Sequence, residues 1–466
     1  MTYRLLINGK LVDGAHTLDV VNPATGKVFE TCARADSAQL EEAVASAKAA
    51  FPAWAARPYS ERQAMLSKFA DAIEARSEEI QQVLTKEQGK PLFGSEIELM
   101  LVVGILRFFS EQELTNETIR KTETDHIIRQ RTPLGVIAAI VPWNFPLLLL
   151  ITKLSPGLLV GNTMIAKPAP TTPLTTLLLG EIAADIFPAG VLSTIVDAND
   201  LGATLSAHKD IAKVSFTGST ATGKLVVKSA ADTLKRMTME LGGNDAAIVL
   251  DDANIKETAQ KVFSAATFNS GQVCLAAKRI YVPSSMYDEF CSELVVLANK
   301  AVVGDGADPT TEIGPIQNKM QFEKVITFLD DAKKNGKVIA GGDPIDSDGF
   351  FIPVTVVRDI ADNSQMVCEE QFGPIIPVLS YDSIEEVIER ANDSDYGLGG
   401  TIWTADPQRG IELAMKIDTG TVWINKHLDT PFDVPLGGSK QSGFGVEYGV
   451  ESLHEYTQAK TINAAL

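Results

Sequence analysis

Cysteine is scarce in this chain of 466 residues, which contains only Cys32, Cys274, Cys291 and Cys368. No two of them form a CxxC pair and the five histidines are scattered, so we find no zinc-binding spacing and expect no metal site. So few thiols in so long a chain do not make a disulfide framework. We therefore expect a reducing, cytoplasmic location.

Long apolar runs and basic tracts are missing as well. The longest apolar runs, such as Leu134–Val141 and Leu147–Ile151, fall well short of a membrane span, and the N-terminal MTYRLLINGK lacks the apolar core of a signal peptide. Lysine and arginine number 41 against 60 acidic residues, which gives a net charge of -19. This balance argues against a nucleic acid partner, and nothing indicates a membrane partner.

What is present is an ordinary globular composition, with 45% hydrophobic and 22% charged residues. A chain of this length predicts more than one domain. The segment LLINGKLV predicts a hairpin with its turn at Asn8-Gly9. Helical patterns follow at residues 37–54 and 60–89, with Ser37 and Ser60 as the expected N-caps.

From about Leu134 onward, short apolar runs alternate with helix-like segments, which is typical of a parallel sheet with crossover helices. The predicted strands are Val136–Val141, Thr163–Lys167, Val191–Val196 and Lys213–Phe216, and the predicted helices are Leu174–Ile186 and Ser219–Ala230. A second α/β unit is predicted from Ala246–Leu250, Arg279–Val282, Met320–Ala340 and Ile384–Ala391.

Two segments favour a phosphate-bearing ligand. FTGSTATGKL follows a predicted strand and opens a predicted helix, where backbone N–H groups suit a phosphate. From Gly218 to Lys224 it also matches GxxxxGK, and AAIVLDD further on resembles a magnesium-binding strand, so a P-loop nucleotide hydrolase is one alternative. Against it, Leu225 occupies the position of the magnesium-ligating hydroxyl, and no GxGxxG occurs. The second segment is IAKPAPTTP, where Lys167 ends a predicted strand at the sheet edge that binds ligands.

Cys274 ends FNSGQVC, a run of small and amide side chains rather than the apolar run typical of a buried structural thiol. A reactive thiol needs a polar niche that favours the thiolate and nearby groups that stabilise an oxyanion. Glu240 in MELGGN is a candidate general base beside two glycines, and Asn144 in VPWNFP is a candidate oxyanion donor. CEEQFGPIIPV adds an acidic pair and Phe372 before a Gly-Pro turn.

Taken in order, these motifs resemble the aldehyde dehydrogenase superfamily over nearly the whole chain. The resemblance is carried by NPATGK at 22–27, PWNFP, the strand end at Lys167, FTGST, MELGGN, GQVC, EEQFGP, PLGGSKQSGFG at 435–445 and YTQAKT at 456–461. So many motifs in one order make the match specific.

The resemblance implies an α/β fold in three parts. A Rossmann-like parallel-sheet cofactor domain would comprise residues 1–114 and 134–242, and a second α/β catalytic domain residues 243–441. A small β oligomerisation element would comprise residues 115–133 and 442–466. Members usually form dimers or tetramers, so a homodimer or homotetramer is expected.

The resemblance also implies the reaction, which is oxidation of an aldehyde to the acid through a thiohemiacetal and a thioester. Cys274 would be the nucleophile, Asn144 with the backbone N–H of Cys274 would hold the oxyanion, and Glu240 would activate the hydrolytic water. The residues expected to bind NAD or NADP are Trp143, Lys167, Pro170, Phe216, Gly218, Ser219, Leu241, Glu370 and Phe372. Those expected to bind the aldehyde are Leu149, Thr152, Phe268 and His427.

Two positions depart from common family patterns. Pro170 replaces a glutamate that in many members binds the adenosine ribose. Its loss leaves Lys167 as the nearest cation, so we expect the site to accept NADP as well as NAD. Val450 stands where some members have another candidate base, so more of the general-base catalysis would depend on Glu240.

Three alternatives concern the reaction itself. LLLLITK after the oxyanion loop favours apolar aliphatic or aromatic aldehydes over succinic semialdehyde, because Thr152 replaces an arginine that would pair with its carboxylate, although His427 could do so instead. A coenzyme-A-acylating dehydrogenase is disfavoured because such relatives generally lack the base at Glu240. A non-catalytic structural protein is disfavoured by Cys274, Glu240 and Asn144 together.

Overall fold

The computed structural model describes residues 3–466. Its strands are β1 (Leu5–Ile7), β2 (Lys10–Val12), β3 (His16–Asn22), β4 (Lys27–Arg34), β5 (Glu117–Lys121), β6 (Asp125–Pro133), β7 (Val136–Ile140), β8 (Thr163–Lys167), β9 (Leu192–Thr194), β10 (Ile211–Thr217), β11 (Arg236–Glu240), β12 (Asp245–Val249), β13 (Ala277–Pro283), β14 (Lys337–Ala340), β15 (Thr355–Arg358), β16 (Ile375–Tyr381), β17 (Tyr396–Gly397), β18 (Gly399–Trp403), β19 (Thr421–Ile424), β20 (Ser439–Lys440), β21 (Gly443–Phe444) and β22 (Thr457–Ala465). Its α-helices are α1 (Ser37–Ala55), α2 (Tyr59–Ala75), α3 (Ser77–Gln88), α4 (Leu92–Ser110), α5 (Pro146–Leu159), α6 (Leu174–Ala184), α7 (Gly202–Ala207), α8 (Thr220–Ala230), α9 (Ile255–Thr267), α10 (Tyr287–Lys300), α11 (Lys319–Asn335), α12 (Gln365–Cys368), α13 (Ile384–Asn392), α14 (Pro407–Ala414) and α15 (Glu451–Glu455).

The first large sheet is built around parallel strands, as the sequence predicted. Its order is β2-β1-β9-β8-β7-β10-β11-β21; the stretch from β9 to β11 in that order is parallel, and β1, β2 and β21 run antiparallel to their neighbours. The β1–β2 turn places Asn8 (φ 52) and Gly9 (φ 72) in the left-handed region, which confirms the predicted hairpin.

Helices cover both faces of this sheet, which explains the unbroken apolar run of β7. Ile137 and Ala139 pack in the core that contains α2, α4 and α5, whereas Val136, Ala138 and Ile140 pack in the core that contains α1, α6 and α7. A strand buried on both sides is typical of parallel sheets. The carboxyl ends of β7, β8, β10 and β11 therefore share one edge.

The second large sheet has the order β14-β15-β16-β13-β12-β18-β19, parallel except for the antiparallel edge strand β14. β11 of the first sheet ends at Glu240 and β12 of the second begins at Asp245. Residues 241–244 thus connect the two sheets, and the candidate site lies around this connection.

A separate antiparallel sheet joins β5, β6 and β22, with β22 paired to β6 from Thr457↔Pro133 to Ala465↔Asp125. Every residue of β5 is exposed. This sheet corresponds to the expected oligomerisation element. The strand β21 lies in the segment 442–466 that was assigned to the same element, but it pairs with β11 of the first sheet. The division into domains stays a prediction, and its residues 1 and 2 lie outside the described residues.

Two details of the helix prediction are wrong. Asp36 rather than Ser37 caps α1, because its carboxylate accepts a hydrogen bond from the Gln39 N–H at 2.9 Å. The pattern at 60–89 forms two helices, α2 and α3, which are separated at Arg76, and Ser60 lies inside α2. Within residues 3–466, every helix is too short or too polar to span a bilayer.

Candidate active site

The segment before Cys274 has an unusual backbone. Asn269 (φ 50), Ser270 (φ 58) and Gly271 (φ 71) are consecutive left-handed residues, a conformation that stores strain and is often found at functional sites. A Cβ on Gly271 would lie 2.2 Å from the carbonyl oxygen of Gly373. Gly271 is therefore required by a tight backbone approach.

Asn144 lies in the loop between β7 and α5 and contacts this segment directly. Its Nδ2 donates to the carbonyl oxygen of Gln272 at 2.9 Å, and its own carbonyl accepts from Lys90 Nζ at 2.9 Å and from Asn269 Nδ2 at 3.1 Å. The loop is thereby fixed against the nucleophile segment. The structure thus places the Asn144 amide against the segment that ends in Cys274, and its role as an oxyanion donor stays a prediction.

Cys274 is half-buried, and its surroundings oppose ionisation. Burial raises the pKa of its thiol to about 12, and the charges of Glu370, Asp245 and Glu240 raise it further, whereas the charge of Lys278 lowers it. The expectation that the surroundings of Cys274 favour its thiolate is therefore wrong for the free protein. Among residues 3–466, Lys278 is the cation that acts in the required direction.

Lys278 follows the nucleophile by four residues and was not identified from the sequence. Only 3% exposed, it donates from Nζ to the carbonyl oxygens of Cys274 (2.6 Å) and Val273 (2.8 Å) and lies 3.4 Å from Glu370 Oε1. Glu370 Oε1 also accepts from the Gly243 N–H at 3.0 Å. Lys278 therefore ties the nucleophile loop to a residue expected to bind the coenzyme. The sequence feature that could have revealed Lys278 is the occurrence of a lysine within the apolar run LAAKRIYV.

Glu240 ends β11, as predicted, and is buried. Desolvation raises its pKa well above the ordinary value; the charges of Glu447 and Glu455 act in the same direction, and Lys153 opposes them. Its Oε1 has no hydrogen-bond partner among residues 3–466. An unpartnered carboxylate with a raised pKa suits a group that must accept a proton.

Lys153 and Glu447 form a buried ion pair next to Glu240, and the sequence analysis overlooked both. Lys153 Nζ also donates to Thr217 Oγ1 at 2.8 Å, and Thr152 Oγ1 lies 3.4 Å from Glu447 Oε2. The sequence feature that could have revealed Lys153 is the occurrence of a lysine inside the apolar helix sequence PLLLLITKLSPGLL. Glu447 lies three residues before Val450.

Several residues expected to bind the coenzyme lie together beside the connection between the sheets. The rings of Trp143 and Phe372 meet edge to face, with centroids 5.3 Å apart. A Cβ on Gly242 would lie 2.5 Å from Glu370 Oε2, so this glycine permits the close approach of the carboxylate. These three predicted residues are thus adjacent to the nucleophile loop.

The turn before α8 also has the predicted form. The Phe216 ring would lie 2.6 Å from a Cβ on Gly218, and the Ser219 hydroxyl caps α8 by accepting from the Thr222 N–H at 3.2 Å. The side chain of Leu241 packs against α8, where it would lie 2.5 Å from a Cβ on Gly223. Gly218 thus leaves room for the Phe216 ring, and the N-terminal turn of α8 has the form that suits a diphosphate.

The same region contradicts the P-loop alternative. Lys224 Nζ donates to Gln441 Oε1 at 2.6 Å, and Leu225 is exposed. The acid of AAIVLDD follows β12 in the second sheet, where Asp252 accepts from Thr404 Oγ1 at 2.8 Å. Lys224 therefore lies on a helix of the first sheet, whereas the acid follows a strand of the second sheet.

Lys167 ends β8 as predicted, but it is not a free cation. Its Nζ lies 2.6 Å from Oδ1 of the buried Asp197. Pro170 is half-buried in the turn that follows. The sequence-based expectation of NADP binding assumed a free charge on Lys167, and this assumption is wrong.

Two of the predicted aldehyde-binding residues, Leu149 and Phe268, pack with Cys274 in one apolar cluster. Phe145 and Phe268 stack with centroids 6.1 Å apart, and a small cavity of about 10 Å³ touches both rings. Phe268 and Leu149 join an apolar cluster with Phe145, Leu148, Val273, Leu275, Leu398, Trp423, Leu428 and Leu436. Thr152 is buried and donates to the Leu149 carbonyl at 2.9 Å, so it is not available in this cluster as a polar contact.

His427 cannot replace the missing arginine. Its Nε2 donates to the Leu275 carbonyl at 2.6 Å, and burial lowers its pKa to about 4, with a further lowering by Lys278. A neutral imidazole at physiological pH does not pair with a substrate carboxylate. The idea that His427 serves this purpose is therefore wrong.

Comparison with known proteins gives a consistent result. The sequence model of the aldehyde dehydrogenase family matches residues 11–462. The chain is 38% identical over 464 residues to aldehyde dehydrogenase LUC3 of a Fusarium species, covering 99% of this chain and 98% of that one. It is 38% identical over 455 residues to human retinaldehyde dehydrogenase 3, covering 96% and 89%. The NAD⁺ complex of a Bacillus cereus aldehyde dehydrogenase superposes with a TM-score of 0.98 at 36% identity, covering 100% and 97%.

Proposed function

Because the chain belongs to the aldehyde dehydrogenase family, we propose that it oxidises apolar aldehydes to carboxylic acids with NAD, through a covalent intermediate on Cys274. The observation that carries this proposal is the convergence of Cys274, Asn144 and Glu240 at the connection between the two sheets. The overall reaction consumes aldehyde, water and NAD⁺ and yields acid, NADH and a proton.

The residues at the sheet edge fit a dinucleotide. The Gly218 turn and the N-terminus of α8 suit its diphosphate, Glu370 and Lys167 suit its riboses, and the Trp143–Phe372 pair suits its nicotinamide. The Bacillus cereus relative is described as an NAD⁺ complex, which supports NAD for this chain. NAD, when bound, supplies the acceptor for the hydride.

In the first half of the reaction, the Cys274 thiol loses its proton, which is the proton released in the overall reaction, and the thiolate attacks the aldehyde carbon. The carbonyl oxygen becomes an oxyanion, which accepts hydrogen bonds from Asn144 Nδ2 and the backbone N–H of Cys274. Lys278 favours the thiolate and holds the loop through the Cys274 carbonyl. Loss of hydride then leaves a thioester on Cys274, which divides a difficult oxidation into two easier steps.

In the second half, water opens the thioester. Glu240 accepts a proton from the attacking water, for which its raised pKa makes it a stronger base than an ordinary carboxylate. The same donors hold the oxyanion of the second tetrahedral intermediate. The acid leaves and Cys274 recovers its thiol.

The apolar cluster beside Cys274 supports aliphatic or aromatic aldehydes as substrates. Succinic semialdehyde is the alternative substrate, but the neutral His427 and the buried Thr152 provide no cation for its carboxylate. The presence of Glu240 favours hydrolysis over transfer to coenzyme A. The same residue, with Cys274 and Asn144, argues against a purely structural role.

We also propose a homodimer or homotetramer in the cytoplasm, assembled through the β5-β6-β22 sheet. The exposure of β5 and the length of the β22–β6 pairing support this assignment. Size-exclusion chromatography with light scattering tests it, and a monomer at micromolar concentration would contradict it.

The reaction is tested by following reduced nicotinamide with hexanal, benzaldehyde and succinic semialdehyde. We expect the specificity constants for hexanal and benzaldehyde to exceed that for succinic semialdehyde. Acid should form in equal amount to NADH, with Cys274→Ala as the inactive control. A much higher constant for succinic semialdehyde would refute the substrate class, and no turnover with any aldehyde would refute the function.

A further inference from the structure

The carboxyl ends of β8 and β9 bring a lysine and an aspartate together. These strands pair in parallel, so residues beyond Ala166 and Thr194 meet at the same sheet edge. Lys167 is the last residue of β8 and is 4% exposed, and Asp197 lies three residues beyond β9 and is 0% exposed. Their Nζ and Oδ1 atoms are 2.6 Å apart. This buried ion pair lies where the proposed coenzyme ribose would bind.

The loop around Asp197 is held in place. Its Oδ2 accepts from the Leu201 N–H at 2.9 Å, and the chain then enters α7 at Gly202, where a Cβ would lie 3.6 Å from Lys167 Cε. Apart from the ion pair, Asp197 Oδ1 accepts no hydrogen bond from residues 3–466. Because Asp197 is 0% exposed, what it supplies at this edge is the capacity to compensate the charge of Lys167.

The turn after Lys167 cannot supply this capacity. It reads PAPTTP and contains no carboxylate, and Pro170 has neither a side-chain acceptor nor an N–H. Asp197 comes from a different strand and brings a carboxylate to Lys167 instead. The other acid of the same loop, Asp200, is directed to Arg34 at 2.7 Å and is half exposed.

We propose that Asp197 is a specificity-determining residue that makes the site select NAD over NADP. This inference rests on the proposed function, in which Lys167 contacts the coenzyme ribose. The 2′-phosphate of NADP carries nearly two negative charges near neutral pH, so its binding needs a cation. Asp197 neutralises Lys167, so no free cation remains there to bind the phosphate. NAD has an uncharged hydroxyl at this position and needs no cation.

Calorimetric titration of the whole protein with NAD and with NADP, without aldehyde, tests this inference independently of turnover. We expect the wild-type protein to bind NAD about 100-fold more tightly than NADP. Asp197→Asn, which keeps the size and removes the charge, should reduce this ratio at least tenfold, mainly by tighter NADP binding. Asp200→Asn is the matched control, because it removes the same charge from the same loop, and it should change the ratio no more than about twofold.

Equal binding of both dinucleotides by the wild-type protein would overturn the inference, and this measurement needs no variant to fold. So would an unchanged ratio in Asp197→Asn, or a larger change in Asp200→Asn. If the protein oxidises aldehydes with both coenzymes equally well, only this inference falls. If it binds neither dinucleotide, the proposed function falls with it.

Discussion

Buried charges are arranged in opposite ways at the coenzyme edge, around Lys167, and at the chemical centre, around Cys274. At the edge, Lys167 and Asp197 form a compensated pair 2.6 Å apart. Around Cys274, carboxylates outnumber cations: Glu240 has an unpartnered oxygen, and burial raises the pKa of Asp245 to about 7. Paired charges hold a ligand in one orientation, whereas uncompensated groups with shifted pKa values are able to exchange protons near neutral pH. The first region is therefore suited to binding and the second to chemistry.

The largest effect is expected from the nucleophile. Cys274→Ala should reduce aldehyde oxidation at least about 10⁴-fold, because no covalent intermediate forms. NAD binding, measured by calorimetry, should stay within about threefold of wild type, since the coenzyme edge is untouched. Cys368→Ala removes an exposed thiol and serves as the control. Normal turnover in folded Cys274→Ala protein would refute the mechanism.

Glu240→Gln should lower the steady-state rate by about 10²- to 10⁴-fold, because the hydrolytic water loses its base. Rapid-mixing experiments should still show a burst of NADH, up to one equivalent per site, since Glu240 acts mainly after hydride loss. The wild-type rate should fall as pH drops through the raised pKa of Glu240, which lies well above the ordinary value. The acid limb should disappear in the variant. Absence of a burst would assign Glu240 to an earlier step.

Glu447→Gln tests whether the neighbouring acid sets the base strength of Glu240. Loss of its charge removes a cause of the raised pKa and leaves Lys153 uncompensated, so both changes lower the pKa of Glu240. The acid limb of the pH–rate profile should move to lower pH. Because a buried lysine loses its partner, the free energy of unfolding should fall by about 3 to 5 kcal/mol. Glu455→Gln, a weaker influence on Glu240, should shift the limb less, and an upward shift in Glu447→Gln would contradict the assignment.

Lys278→Met removes the cation that joins the Cys274 loop to Glu370. Since Lys278 lowers the pKa of Cys274, its removal should slow alkylation of Cys274 by iodoacetamide about tenfold at pH 8. The measurement is mass spectrometry of the labelled peptide as a function of pH. Lys324→Met is the control, because Lys324 contacts the Glu370 carbonyl from the exposed side at 3.2 Å. Equal alkylation profiles in all three proteins would show that Lys278 only supports the loop.

The smallest effect is expected at the coenzyme edge itself. If Asp197 already excludes NADP, Pro170→Glu adds a second carboxylate where one suffices, and the ratio of NAD to NADP affinity should change by less than about threefold. The measurement is the same calorimetric titration. A large increase in this ratio would show that the wild-type edge is permissive and that position 170 controls the choice.

Short-range patterns predicted much of this molecule. The alternation of apolar runs and helical segments predicted the parallel sheets, since strands buried on both faces read as continuous apolar runs. Thr163–Lys167 forms β8 with the predicted bounds, and Glu240 ends its strand as expected. The motif order identified the family and predicted the nucleophile segment and the coenzyme edge. These features depend on local periodicity and on residue types that one stretch of chain reveals.

Only the tertiary structure decided how the charges are paired. Asp197 reaches Lys167, Glu447 reaches Lys153 across 294 residues of sequence, and Lys278 joins the Cys274 loop to Glu370. Nothing in the sequence reveals such pairs, because electrostatic energy depends on distance and burial in space rather than on separation along the chain. The sequence by itself therefore determined the fold and the family. The protonation of Cys274 and Glu240 and the state of the coenzyme edge were decided by which side chains the fold brought together and removed from water.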